Sequence, residues 1–174
     1  MTNMLQYKTI GCFLWLLCCF YLGTTGPVIS GEPSAANLVS QALERAANSK
    51  KEIIVTVGNS KCGWCVLFEK YYKRASVKRV LDKYFVIVTI DTIEMKDGKA
   101  VYSKFSEPRA PSWVILDSNS KVLIDSFING VNIGYPAKPD EVTYYIDALK
   151  KAQPALTYRE LETLASELQD NTRN

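Results

Sequence analysis

Apolar residues along this chain fall into short continuous runs separated by longer stretches in which they recur every three or four positions. The run "EIIVTV", residues 52–57, is β-branched and almost wholly apolar, and "FVIVTI", residues 85–90, repeats the pattern. Runs of that length and composition predict strands covered on both faces. Between them, Val77, Val80, Leu81 and Tyr84 stand at i, i+3, i+4, i+7, which predicts helix with a break near Ala75 and Ser76. A strand, helix, strand order with one crossover predicts parallel pairing. "SWVIL" and "KVLIDSF", separated by "DSNS", read as two strands joined by a tight turn and hence antiparallel.

The remaining periodic stretches frame this centre. Leu38, Val39, Ala42, Leu43 and Ala46 give a first helix over 37–47, and a short helix is expected around Ala100 to Phe105. "INGVNIGYPAKPD" reads as a loop leading into a helix carrying Val142, Tyr145, Ile146 and Leu149 on one face, with Asp140 as its cap. Beyond Pro154, "TYRELETLASELQD" pairs Thr157 with Glu160 as a capping box and aligns Leu161, Leu164, Ala165 and Leu168. This is an amphipathic helix added at the carboxyl end, and packing on its own domain is preferred over binding a partner.

Composition narrows the picture to one ordinary core. The chain has 174 residues, 47% hydrophobic and 22% charged, too short for two large domains. Lys plus Arg exceed Asp plus Glu by 21 to 18, and the basic residues are scattered without forming a block. No nucleic-acid partner is therefore expected.

The amino-terminal thirty residues are different in kind. Lys8 precedes an apolar run of 13 residues, Ile10 to Leu22, followed by Gly23, Gly26 and Pro27. The run is shorter than the about 20 residues a spanning helix needs, and the pattern reads as an export signal cleaved after Ser30. Retention as an uncleaved anchor is the competing reading. Residues 1–30 are thus set apart from a domain over 31–153 and a helical extension over 154–174, and an exported protein, periplasmic or extracellular, is expected.

Export changes the cysteine arithmetic, because Cys12, Cys18 and Cys19 leave with the signal and only Cys62 and Cys65 remain. Zinc asks for about four ligands, and the chain has no histidine and no second cysteine pair. A two-thiolate Cu(I) site needs fewer ligands and stays open as a minor reading. A staple closing so small a loop removes little unfolded-state entropy. A reacting dithiol leads, placed where a buried strand gives way to a helix.

On "CGWC" opening a helix after a buried strand, on "RAPSWVILD" with Pro111 just before a strand, and on "NIGYPAKPDEVTYYI", the chain resembles the thioredoxin family. It looks like the small exported members with a Cys-Gly-x-Cys centre that serve bacterial periplasms, over roughly Ala36 to Ala152. The resemblance implies an α/β, thioredoxin-like fold with a central mixed sheet flanked by helices. It implies a thiol-disulfide oxidoreductase in which Cys62 is the nucleophile and Cys65 the resolving thiol. Pro111 matches the place of the family's cis-proline, leaving the backbone of Ala110 to pair with an extended substrate. Its partners would be proteins with disulfides or thiols and a membrane or soluble redox partner that resets the dithiol. No cofactor or resident metal is called for.

Electrostatics agrees with that order of roles, since helix-start amides and the adjacent Lys61 both favour a thiolate at Cys62, below the free-thiol pKa of about 8.5. Two departures stand out. Thr56 occupies the place where many reducing members carry a buried acid, and Trp64 stands where they carry proline. Trp64 and Trp113 are expected either to cap the site and offer apolar surface to substrate or to be partly buried in the ordinary way. The contrasting function is a binding module, either a Cu(I) carrier or a redox-inert docking domain.

Overall fold

The computed structural model describes residues 33–173; the signal read over 1–30, with its cleavage after Ser30, lies outside them. The order is α1 (Ala35–Ser49), β1 (Glu52–Gly58), α2 (Gly63–Lys73), α3 (Ala75–Tyr84), β2 (Phe85–Asp91) and α4 (Gly98–Tyr102). Then follow β3 (Ser112–Leu116), β4 (Val122–Asp125), β5 (Phe127–Ile128), β6 (Val131–Asn132), α5 (Pro139–Ala152) and α6 (Tyr158–Arg173). No described helix is long and apolar enough to cross a membrane.

The main sheet is mixed, in the order β2-β1-β3-β4. β1 runs parallel to β2 with Thr56 opposite Thr89, and antiparallel to β3 with Thr56 opposite Trp113. Side-chain alternation splits the core between the two faces. Ile54, Trp113 and Ile115 face a cluster built with α2, α3, α5 and α6, whereas Ile53, Val55, Val57, Val114 and Leu116 face one built with α1 and α4. Both faces are covered, which is why β1 and β3 are apolar without alternation.

The helical stretch after the cysteines is interrupted at Arg74, whose extended backbone (φ −62°, ψ 131°) ends α2 and begins α3. Along α3, Val77, Val80, Leu81 and Tyr84 are all buried, as their spacing requires. α6 starts with the expected reciprocal cap: the Thr157 N–H donates to Glu160 Oε2 at 2.8 Å, and the Glu160 N–H donates to Thr157 Oγ1 at 3.3 Å. Its apolar side completes the core with Leu164 and Leu168, both fully buried.

Several local expectations need correction. α5 begins at Pro139, and Glu141 reaches back to accept from the N–H groups of Ala137 and Lys138, so Asp140 lies inside the first turn and is not the cap. The short helix is α4, which begins two residues and ends three residues earlier than expected. "KVLIDSF" does not run through as one strand, because Ser126 turns its hydroxyl inward. The loop after it holds a small hairpin, with Phe127 opposite Asn132.

Candidate functional site

The dithiol sits where β1 ends. Asn59 and Cys62 close a turn in which the Cys62 N–H donates to the Asn59 carbonyl at 3.2 Å, while Asn59 Oδ1 accepts from the Lys61 N–H at 3.0 Å. Cys62 is thereby placed as the N-cap of α2, with the extended backbone that a cap requires. Its sulfur accepts from the Cys65 N–H at 3.3 Å, taking the place of the usual capping oxygen. One helical turn brings the Cα atoms of Cys62 and Cys65 to 5.2 Å, and the two sulfurs are joined as a disulfide. Both cysteines are half-buried.

Behind the disulfide lies a cavity of about 80 Å³ lined by Cys65, Gly58, Thr56, Tyr72, Thr89 and Pro111. Thr56, buried, follows Ile54 on the same face of β1, and its hydroxyl lies 3.2 Å from that of Thr89 and 3.4 Å from the Val88 carbonyl. A hydroxyl pair therefore stands behind Cys65 at the position where the resemblance would have an acid. Gly58 closes the same space: a Cβ there would lie 2.9 Å from Cys65 Sγ.

A second, larger hollow of about 410 Å³ is lined by Trp64, Ala110, Pro111, Asn132, Tyr135 and Lys138. The Ala110–Pro111 peptide bond is cis, Pro111 is buried and Ala110 exposed. Three of the residues singled out in the sequence, Trp64, Ala110 and Pro111, thus share one groove, and Pro111 also borders the cavity at Cys65. Lys61 is exposed on the turn before Cys62 and lines neither hollow.

Trp64 is 52% exposed and stacks on Tyr135 with ring centroids 5.9 Å apart. Trp113 is corrected: it is fully buried, its indole N–H donates to the Gly134 carbonyl at 3.1 Å, and its ring meets Tyr145 edge-on at 5.0 Å. It supports the groove from beneath and offers substrate no surface.

The groove's far wall is held by residues to which the sequence reading gave no role in the site, although Asn132, Gly134 and Tyr135 lie in the quoted "NIGYP" run. Asn132 Nδ2 donates to the Pro111 carbonyl at 2.9 Å, while its Oδ1 accepts from the Ser126 hydroxyl at 2.7 Å and the Gly134 N–H at 3.1 Å. Ser126 in turn accepts from the Trp113 N–H at 3.2 Å. Gly134, at φ +59°, passes so close to Pro111 that a Cβ would lie 3.0 Å from its carbonyl oxygen. Burial pushes the Tyr135 hydroxyl above its ordinary pKa of 10.0, with the Asn171 hydrogen bond opposing, so it stays protonated and donates a hydrogen bond to the Leu168 carbonyl at 3.1 Å. Their signal was the Asn-x-Gly-Tyr-Pro run itself. Among the described residues, no group of three or more Cys, His, Asp or Glu could hold a metal ion.

The architecture has solved counterparts. A disulphide isomerase from Xylella fastidiosa Temecula1 superposes with TM-score 0.54 at 16% identity, over 85% of this chain and 98% of that one. A DsbH oxidoreductase gives 0.51 at 18% identity, over 78% and 94%. The fold is thioredoxin-like. Residues 35–113 match the family model Thioredox_DsbH, described as "Protein of unknown function, DUF255". Over 66 residues, 37% of this chain, the sequence is 32% identical to spermatogenesis-associated protein 20 of Mus musculus and 30% identical to the uncharacterized protein B0495.5 of Caenorhabditis elegans. The chain spans less than a tenth of the length of these curated relatives, 8% and 9%. A thioredoxin-like fold carrying a Cys-x-x-Cys disulfide fits thiol-disulfide chemistry.

Proposed function

We propose that this chain is an exported thiol-disulfide oxidoreductase that exchanges disulfides with cysteines of other proteins through Cys62 and Cys65. The observation that carries the proposal is half-buried Cys62 as the N-cap of α2, bonded to Cys65, which shares a cavity with Pro111, while Pro111 and Trp64, the residue between the cysteines, line the adjoining groove. In the reduced protein the amides of that first turn stabilise a thiolate at Cys62. The thiolate attacks one sulfur of a substrate disulfide, and the other substrate sulfur leaves as a thiolate that takes up a proton. Cys65, deprotonated in turn, attacks Cys62 Sγ, closes the internal disulfide and releases the second substrate thiol. Two electrons pass from the protein to the substrate, and reversal of the same steps oxidises a dithiol. A membrane or soluble redox partner resets the pair.

An extended substrate would lie along Ala110 and Pro111, where proline offers no N–H of its own. The two structural counterparts, a disulphide isomerase and an oxidoreductase, are in keeping with this chemistry. Residues 1–30 are assigned as the export signal, 31–153 as the redox domain and 154–174 as its helical extension. Amino-terminal sequencing of the protein from the export compartment should begin near Gly31.

The roles of the thiols are tested by exchanging them one at a time. Cys65→Ser should accumulate mixed disulfides with partner proteins, visible on non-reducing gels and lost with reductant, whereas Cys62→Ser should neither trap nor exchange. Trapping by Cys62→Ser alone would reverse the roles, and trapping by neither would leave an inert docking domain.

A further inference from the structure

The end of α6 returns to the dithiol. Its amino-terminal part is fastened away from the site, with Glu160 accepting from Tyr84 at 3.0 Å, and its middle is held by an Arg74–Glu167 ion pair at 2.6 Å. Leu164 and Leu168 would suffice if the helix only filled the core. Asn171 does something else. It is 5% exposed, and both hydrogens of its amide are used: one goes to the Leu67 carbonyl of α2 at 2.8 Å, the other to the Tyr135 hydroxyl at 3.0 Å. The Tyr135 hydroxyl donates in turn to the Leu168 carbonyl, so it is gripped twice by α6. A buried N–H left unbonded is costly, and both of those on the Asn171 side chain are bonded.

The grip is transmitted by the ring. Tyr135 is 3% exposed, meets Phe68 edge-on at 5.3 Å and stacks beneath Trp64. Trp64, between the two cysteines, lines the groove and is about half exposed. We infer that Asn171 is a positioning residue: through Tyr135 it holds Trp64 as the wall of the groove, making α6 part of the site and suiting the groove to peptides with an apolar side chain beside the reacting cysteine. The inference rests on the oxidoreductase reading for its substrate, but not for its geometry.

The test compares the full chain with Asn171→Ala, Tyr135→Phe and Trp64→Ala, using a peptide disulfide with Leu beside its cysteine and, separately, glutathione disulfide. Losing an aromatic stack of ordinary worth, Asn171→Ala should raise KM for the peptide about two- to tenfold while kcat stays within about twofold, and should leave turnover of glutathione disulfide within the same margin. Tyr135→Phe should raise the peptide KM likewise, and serves if Asn171→Ala does not fold. In a Trp64→Ala background Asn171→Ala should add nothing. An unchanged peptide KM, equal losses on both substrates, or an undiminished effect without Trp64 would reduce α6 to a structural helix. Should the wild-type protein exchange neither substrate, the oxidoreductase reading fails by itself. Iodide quenching of Trp64 emission, taken as the difference from Trp64→Phe, then decides the positioning: greater access in Asn171→Ala supports it, and unchanged access overturns it.

Discussion

Gly58 faces Cys65 with no room between them: a Cβ on Gly58 would sit 2.9 Å from the Cys65 sulfur and 3.0 Å from its Cβ. The contact fixes where β1 must stop carrying side chains so that α2 can begin. Gly58→Ala must therefore push the first turn of α2 or the sulfur itself, at a cost of about 1–3 kcal/mol. Urea unfolding of the oxidised protein should show that loss, and the rate of disulfide exchange should fall with it. A variant with unchanged stability and rate would mean that the turn yields freely.

Lys61 gives a separable electrostatic prediction. The helix-start amides are fixed in place, whereas the Lys61 side chain is exposed and screened by salt. Alkylation of the reduced protein against pH should show Cys62 reacting below the range of a free thiol. Lys61→Gln should shift that midpoint upward only slightly, and less at high salt. A wild-type midpoint at or above the free-thiol value would remove the activated nucleophile.

Asn132 is the junction of the loop that presents Pro111. Asn132→Ala would leave the Pro111 carbonyl and the Ser126 hydroxyl without their partner, costing about 1–3 kcal/mol. Peptide exchange should weaken more than glutathione exchange, because in the proposed reading only the longer substrate would use the groove. Equal weakening would place the loop outside substrate binding.

Glu160 predicts acid sensitivity of α6. Hydrogen bonds from the Thr157 N–H above all, with the Thr157 hydroxyl, Lys83 and Tyr84, hold its carboxyl down from 4.5 to about 2, against a smaller opposing effect of burial. The folded value lies below the unfolded one, so the stabilisation is fully present above about 4.5 and is lost as pH falls toward 2. Glu160→Gln should lower stability at pH 7 by about 1 kcal/mol, the usual worth of a cap, and flatten the slope of stability between pH 5 and 2. An unchanged slope would show that other carboxylates carry the acid response.

The parts of this fold that were legible in the sequence are those whose partners are implied by the residues themselves. β1 and β3 are apolar and buried on both faces, so their runs announce both strand and burial, and α3 shows its buried stripe at every third or fourth position; β2 was legible as a strand, but it lies at the sheet edge and is only partly covered, with Thr89 exposed. The same reasoning placed Cys62 at a helix start. It could not see Ser126, whose buried hydroxyl breaks the fourth strand by bonding to Trp113, 13 positions back. Nor could it separate the two tryptophans. The indole N–H of Trp113 finds its acceptor 21 positions away at Gly134, and Asn171, on what reads as a polar helix end, bonds 104 positions back to Leu67.

That last separation also has a meaning in time. A ribosome adding about 5–20 residues per second delivers Leu67 some 5 to 20 s before Asn171, which stands 104 positions later. For that interval the turn bearing both cysteines exists without the amide that grips Tyr135. In the proposed arrangement the thiols and Trp64 are made together, and both precede by that interval the residue that would hold Trp64 in place.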